Sequence, residues 1–418
     1  MQALQSGGFA GIDVHKKILV ITALVEKSDG SVGKQMLECT TMTDDLRDCG
    51  KKLVELGVRH VVMESTGIYW KPVWRVFRQA GLLVTLGNAQ HIKNVPGRKT
   101  DASDSEWLAW LHKNGLIRPS YVPEEEFQQL RALTRHRTHL VSDITRIKNR
   151  VQRVLEDGNM KLASVISNVF GVSGLTILRS IAQGSTDTAT LAALVKTNVR
   201  AQPEEIRKGL CHCLTEVHCL EVREYLSRYD ALNESLDRIQ QVIDDRMNRY
   251  ADIVERLDEI PGIDKLSAQV ILAEATADMG AFKDDRCFAA WAGLAPGNHE
   301  SAGKRRKVRV RQGNPNLKRV LVQAARSASQ KNGSYYQAKH RRLVMQTGSR
   351  LKASVAIANR ICRAIYHLIR KPNERYRDLG WTRVDNTDRA IRRKIGQLRA
   401  MGLCVTYDGG NQVNIAAA

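Results

Sequence analysis

Two heptad seams restrict this chain more than any other feature. Leu130, Leu133, Arg137, Leu140, Ile144, Ile147, Val151 and Val154 recur at alternating steps of three and four, and so do Leu232, Leu236, Ile239, Ile243, Arg246, Tyr250, Ile253 and Leu257. That spacing puts the apolar side chains along one edge of a helix, an arrangement stable only against a second helix. Two long coiled-coil helices are expected, folded back as one antiparallel hairpin or paired between protomers. A bundle core without functional meaning is the plain alternative. Each seam carries one arginine, Arg137 or Arg246, which is costly when buried alone and points to register control or to a nucleic-acid-facing stretch.

The flanking segments differ from the seams and from each other. Phe9–Glu26 holds two β-branched runs, Gly11–Val14 and Ile18–Val25, around a His-Lys-Lys turn, the pattern of a hairpin. A helix over Thr43–Leu56 with Gly57 at its C′ position follows, then a third strand at Val58–Met63, a helix at Ile68–Ala80, a strand at Leu82–Leu86 and a helix at Ala102–Asn114. Strands first and then alternation with helices indicate an α/β domain. Between the seams, Met160–Leu214 reads as a helical insert with no functional signal. A helical domain runs to about Arg370, and the basic, then Gly/Asn-rich end carries a short helix at Asp388–Ala400. The expected class is α/β plus all-α. The expected boundaries are 1–118 for the α/β domain, 119–158 for the first long helix and 159–214 for the insert. They continue with 215–257 for the second long helix, 258–370 for the helical domain and 371–418 for a basic tail.

Charge narrows the partners. Sixty-five Lys and Arg against 44 Asp and Glu leave +21 over 418 residues, which calls for a polyanion. The chain shows no apolar run long enough for a membrane span and no secretory signal, and its eight scattered cysteines fit a reducing cytoplasm. A cytoplasmic, nucleoid-associated protein is expected.

Four carboxylates stand out by position. Asp13 lies in the first strand (GIDVH), Glu64 ends the third (VVMESTG), and Asp101 and Asp104 open a helix (KTDASDSEWLA). The i, i+3 spacing puts the last two on one helix face. Strand-borne and helix-borne acids together make the oxygen cluster that Mg²⁺, or Mn²⁺, requires for phosphoryl transfer. Taken singly, Asp101 and Asp104 are ordinary helix-start acids and Glu64 a strand-end acid. Asp13, flanked by Ile12 and Val14, is an acid in a buried strand and needs a cation or strong donors.

The order Asp, Glu, Asp, Asp on strand, strand and helix resembles the RuvC-type site of the RNase H fold. More narrowly, GIDVHK, MESTGIYW and KTDASDSEWLA resemble the DEDD insertion-sequence transposases of the "one-ten" family, relatives of the Piv-type DNA invertases. The resemblance implies that Asp13, Glu64, Asp101 and Asp104 are catalytic metal-binding acids.

In the second half, Leu257–Ala275 reads as a helix-hairpin-helix about Pro261-Gly262, whose turn could grip a phosphate; an ordinary interhelical turn is the alternative. From Lys304 to Arg319 there are eight basic residues and no acidic one, broken by Gly313-Asn314-Pro315. A phosphate-gripping arm accounts for this better than a solvated face. Ser301 sits at the head of that arm. By composition alone it is a turn serine. This chain also carries Gly293-Leu294-Ala295-Pro296, Ser301-Ala302-Gly303, Gly313-Asn314 and Leu317-Lys318, which match the family's C-terminal pattern. The resemblance implies that Ser301 is a nucleophile forming a phosphoserine link to DNA, with Lys304, Arg305 and Arg306 stabilising the developing charge. The residues expected to touch nucleic acid are Lys99, Gly262, Lys304, Arg305, Arg306, Lys307, Arg309, Arg311, Asn314, Lys318 and Arg319. Ser267, Ser327 and Ser329 lack this context.

Cys211-His212-Cys213 with His218-Cys219 invites zinc, but Cys-x-Cys is too tight for a knuckle and no second pair follows, so packing of small side chains is the reading. The function expected is a recombinase moving its own insertion element. The resemblance further implies donor and target DNA and a structured guide (bridge) RNA from the element. Two long helices between the acids and the serine lead to the expectation of a site assembled between protomers of a homo-oligomer, a dimer rising to a tetramer when DNA ends are joined. A metal-dependent junction resolvase that hydrolyses DNA, and a non-catalytic nucleic-acid-binding scaffold, are the alternatives.

Overall fold

Five strands form the first sheet: β1 (Gly8–Val14), β2 (Ile18–Glu26), β3 (Val32–Thr40), β4 (Val58–Glu64) and β5 (Leu83–Gly87). Their order is β3-β2-β1-β4-β5; β1, β2 and β3 pair antiparallel, while β1–β4 and β4–β5 pair parallel. The computed structural model describes residues 7–26, 30–65, 67–88, 92, 104–196, 201–297, 300, 301, 304, 305, 310, 312–380, 395–407 and 413–417. Two compact units result, Met1–Pro123 and Glu124–Ala418.

In the first unit the pleat alternates cleanly. Ala10 and Ile12 of β1, Leu19, Ile21 and Ala23 of β2, and Val61 and Met63 of β4 share one core with α1 (Thr43–Glu55) and α2 (Trp70–Gln79). The other face takes α3 (Asp104–Lys113), whose Leu108 and Leu111 meet Val62. A sheet covered on both faces follows, which suits strands this apolar. Gly57 takes φ +78° after α1, the left-handed stop expected of it. The strand β3 went unread in the sequence. Only Leu37 and Cys39 reach the core, and Val32 and Met36 are exposed, so this edge strand has too little apolar alternation to stand out.

In the second unit, α4 (Glu125–Asp157) and α9 (Glu216–Met247) are long helices of 33 and 32 residues that pack antiparallel within the chain. Both seam arginines find partners across the pair. Arg137 Nε donates to Gln240 (2.6 Å) and Arg246 Nη1 to Gln129 (2.6 Å), so each pins the register. The second seam outruns its helix: a 3₁₀ turn at Asn248–Tyr250 ends it, and Ile253 and Leu257 belong to α10 (Ala251–Asp258). At that turn Tyr250 packs on Phe127 and donates to Glu126, which carries the chain off the axis.

The insert contributes α5 (Leu162–Val165), α6 (Val172–Ala182), α7 (Thr188–Ala193) and α8 (Pro203–Leu210). Their Leu162, Ile177, Ile181, Leu191, Ile206 and Leu210 share a core with Val151, Val154 and Leu155 of α4 and Val222 and Leu226 of α9. The insert thus caps one end of the helical hairpin. His218 Nδ1 accepts from the backbone of Thr215 and its Nε2 meets Asp157 at 2.9 Å, so this ring serves the start of α9.

Beyond α10 come α11 (Lys265–Ala275), α12 (Asp285–Trp291), a two-residue hairpin of β6 (Glu300–Ser301) and β7 (Lys304–Arg305), α13 (Pro315–Ala328), α14 (Tyr335–Thr347) and α15 (Arg350–Arg370). Helix α15 is the axis, burying Ile357, Ile361, Ile365 and Tyr366. Buried Arg256 donates to the carbonyls of Leu368 and Lys371 and so closes the end of α15. The segment read as a basic tail contains a second hairpin, β8 (Leu403–Tyr407) with β9 (Val413–Ala417), and much of the helix expected at Asp388–Ala400 lies outside the described residues.

Candidate active site

Register brings the first two acids together. β1 and β4 run parallel with Ile12 opposite Met63, so Asp13 and Glu64 are the next residues on neighbouring strands about 4.8 Å apart. Residues alternate faces along each strand. Since Ala10, Ile12, Val61 and Met63 point to the α1–α2 core, Asp13 and Glu64 belong to the α3 face. Helix α3 is seated there as closely as backbone permits. A Cβ on Gly11 would lie 2.0 Å from the carbonyl oxygen of Ser105 and 2.4 Å from the amide nitrogen of Ala109, which is why this strand position is glycine. Thr22 and Ser105 share a buried hydrogen bond of 2.9 Å at the same point. Asp104, the residue before Ser105, therefore opens α3 beside the strand that carries Asp13, and it is exposed.

Asp13 departs from expectation in one respect. It sits near the end of β1, not mid-strand in a dry core, and its side chain is 33% exposed. Its Oδ2 lies 3.0 Å from Nε2 of His15, a neighbour that the motif GIDVHK contains and that sequence reasoning passed over. Lys34 of β3 pairs with Glu106, one turn into α3, a contact hidden with β3 itself. Asp101 and Lys99 lie outside the described residues. Among the described residues no three His, Cys, Asp or Glu side chains close around one point. The chemistry of the set still fits a hard divalent cation: carboxylate oxygens at two strand ends and a helix start, open to water and free of sulfur.

Behind the acids, the same face is dry. Phe9 of β1 stacks on His60 of β4 (5.0 Å) and meets His112 of α3 edge-on (5.7 Å). Among the described residues, Nε2 of each histidine is buried without a hydrogen-bond partner. Burial, then the neighbouring His60, pushes His112 down to about 4, and burial with Arg59 lowers His60, so both rings are neutral wedges.

In the second unit, Ser301 is the last residue of β6 and pairs with Lys304, the first of β7, so it flanks the tip of a hairpin. Lower down the arm, Pro296 bridges Val310. The foot is clamped: a Cβ on Gly313 would stand 2.2 Å from the amide nitrogen of Gly293, and Asn314 N–H donates to the carbonyl of Trp291 (3.0 Å). Arg306, Lys307, Arg309 and Arg311 lie outside the described residues. Lys318 and Arg319 stand on the first turn of α13, where Arg319 donates to Asn316.

Two positions expected to touch nucleic acid turn inward. Asn314 Oδ1 caps α13 by accepting from Asn316 and Leu317, and its Nδ2 donates to Glu274 at 2.7 Å, so both ends of the amide are taken. Gly262 has φ +85°, and its added Cβ would lie 2.2 Å from the carbonyl of Ala324. That glycine meets a packing demand against α13.

Residues 10–160 match a family profile described as a transposase of the DEDD type, and residues 254–341 match the profile "Transposase IS116/IS110/IS902 family". The chain belongs to the IS110 family of transposases. Similar proteins include a "Probable family 20 transposase" of Pseudomonas aeruginosa, 26% identical over 86% of this chain and 96% of its own length. Another is the "Transposase for insertion sequence element IS1111A" of Coxiella burnetii, 25% identical over 78% of this chain and 81% of its own. The transposase is thus a DNA-strand-cutting and rejoining enzyme. Its two matched stretches hold the acid-bearing sheet and the serine hairpin respectively, and most of the insert and all of α9 fall between them. No helix among the described residues is long and apolar enough to cross a membrane.

Proposed function

We propose that this transposase excises and inserts its element through a covalent DNA–serine intermediate, with Asp13, Glu64, Asp101 and Asp104 holding divalent metal, Mg²⁺ or Mn²⁺. The observation that carries this reading is the pairing of Ser301 with Lys304 at a hairpin tip, in a chain that also carries acids at adjoining strand ends. A serine hydroxyl reacts with phosphorus only when cationic groups stabilise the added negative charge, and the basic arm supplies them. In the step proposed, Ser301 Oγ loses its proton and bonds to phosphorus, and the sugar oxygen leaves with a proton. A sugar hydroxyl from another strand then reverses the exchange and rejoins the DNA, so one phosphodiester is traded for another without external energy. Bound metal supplies Lewis acidity and charge neutralisation at the phosphate.

We propose further that strand exchange takes place in a homo-oligomer, with acids and serine from different protomers. A net charge of +21 supports binding of two polyanions at once. We assign these as DNA, both donor and target, and a structured guide RNA from the element, the RNA selecting sites by base pairing.

Denaturing gels test the serine. Wild type is expected to leave a protein–DNA adduct that Ser301→Ala abolishes; cleavage that survives this substitution identifies a metal-dependent nuclease instead. Sequencing the nucleic acid that copurifies tests guidance. One small structured RNA from the flanking element is expected, and random cellular RNA overturns that part.

A further inference from the structure

Glu274 lies near the end of α11 and its side chain is wholly buried. Burying a carboxylate is costly unless every oxygen is paired, and an apolar side chain would usually stabilise the fold as well or better. Here every oxygen is paired. Arg135 of α4 forks onto it, Nε to Oε1 at 2.7 Å and Nη2 to Oε2 at 2.9 Å. That contact raises the affinity of Arg135 for its proton. Arg131, one turn earlier, donates to the carbonyls of Ala273 and Glu274 and lays its guanidinium 5.8 Å from the ring centre of Trp291. The remaining partner is Asn314, whose Nδ2 reaches Oε2 at 2.7 Å.

Asn314 and Trp291 are the two feet of the arm that carries Ser301. They bond to each other through the backbone, Gly313 is wedged on Gly293, Pro296 bridges Val310, and Ser301 pairs with Lys304. Arg131 holds one foot by its ring, and Glu274 holds the other by its amide. The long helix α4 and the serine arm are therefore joined twice, by Arg131 on the ring of Trp291 and by one buried carboxylate between Arg135 and Asn314.

We propose that Glu274 is a positioning residue for Ser301: through Asn314 it fixes the foot of the serine arm to α4. The inference rests on Ser301 being the nucleophile. A hydroxyl must meet phosphorus in line, and displacements of an ångström at the foot of a short arm cost orders of magnitude in rate.

Asn314→Ser isolates this contact. Serine caps a helix as well as asparagine does but is too short to reach Glu274, so α13 keeps its start. Single-turnover adduct formation on pre-bound DNA is expected to slow by about tenfold or more, with DNA affinity and melting temperature close to wild type. A purely structural role for Glu274 predicts loss of melting temperature and rate together. Wild type and Ser301→Ala run alongside. An adduct in wild type with an unchanged rate in Asn314→Ser overturns the positioning role alone. No adduct in wild type overturns the nucleophile, and the positioning role with it.

Discussion

The sheet unit and the serine arm fix their reactive groups in opposite ways. In the sheet, Asp13 and Glu64 are neighbours because two parallel strands are in register, and α3 comes close because Gly11 has no side chain. Backbone does the positioning. The serine hairpin is two residues per strand, too short for a ladder to hold, and beyond one backbone bond its foot relies on side chains: Asn314, Glu274, Arg135 and the ring of Trp291. A ladder tolerates change in most of its side chains, whereas a side-chain clamp fails at any one link. The comparison teaches that the two halves of one active enzyme are vulnerable to different kinds of substitution.

Matched glycines make the sharpest test. Gly11→Ala puts a Cβ 2.0 Å from a backbone oxygen of α3, and neither strand nor helix can yield without breaking pairs on both sides. A loss of about 4 kcal/mol is expected, seen as early melting of the sheet unit and loss of cleavage. Gly313→Ala is as crowded, at 2.2 Å from the Gly293 nitrogen, but Gly313 is exposed and no shared core rests on it. It is expected to spare the melting temperature and remove the adduct. Equal thermal losses in the two variants would erase the distinction drawn here.

This division also explains what was legible. The strands bearing Asp13 and Glu64 showed in the sequence because their apolar runs are dense, and α4 because its seam keeps one period over Leu130–Val154 with Arg137 as its one polar member. β3 did not, since an exposed edge needs little apolar side chain, and with it went the Lys34–Glu106 contact. Glu274 left a trace, one acid in the apolar run AQVILAEA, that was readable only as an oddity until its partners from 135 and 314 came together. The packing roles of Asn314 and Gly262 were not visible in the sequence, because their partners at 274 and 324 come together only in the fold.

Acid should weaken the sheet unit in particular. His112 is held neutral, with its pKa lowered to about 4 by burial and then by His60. In the unfolded chain it titrates near its ordinary 6.5. Below that value the unfolded state gains a proton that the folded state refuses, so this stabilisation is complete above pH 6.5 and is lost as pH falls toward 4. The full loss amounts to about 3 kcal/mol. Urea unfolding at stepped pH is expected to show it, and His112→Leu to flatten that part of the curve. An unchanged slope in the variant would remove His112 as the cause.

The smallest effect expected is the most informative about the acids. Thr22→Val keeps the shape of a buried side chain and deletes one hydrogen bond, to Ser105 at 2.9 Å. About 1 kcal/mol is the ordinary cost, a few degrees of melting temperature. Ser105 follows Asp104, however, so loosening that bond frees the first turn of α3 to shift against β1. If Asp104 is a metal ligand, the Mn²⁺ concentration needed for half-maximal cleavage rises by about threefold while Asp13 and Glu64 stay in register. If Asp104 is only a helix-start acid, the same variant melts slightly earlier and its metal titration overlays the wild type. The two outcomes differ in the metal axis alone, which separates a ligand from an acid that merely suits the helix dipole.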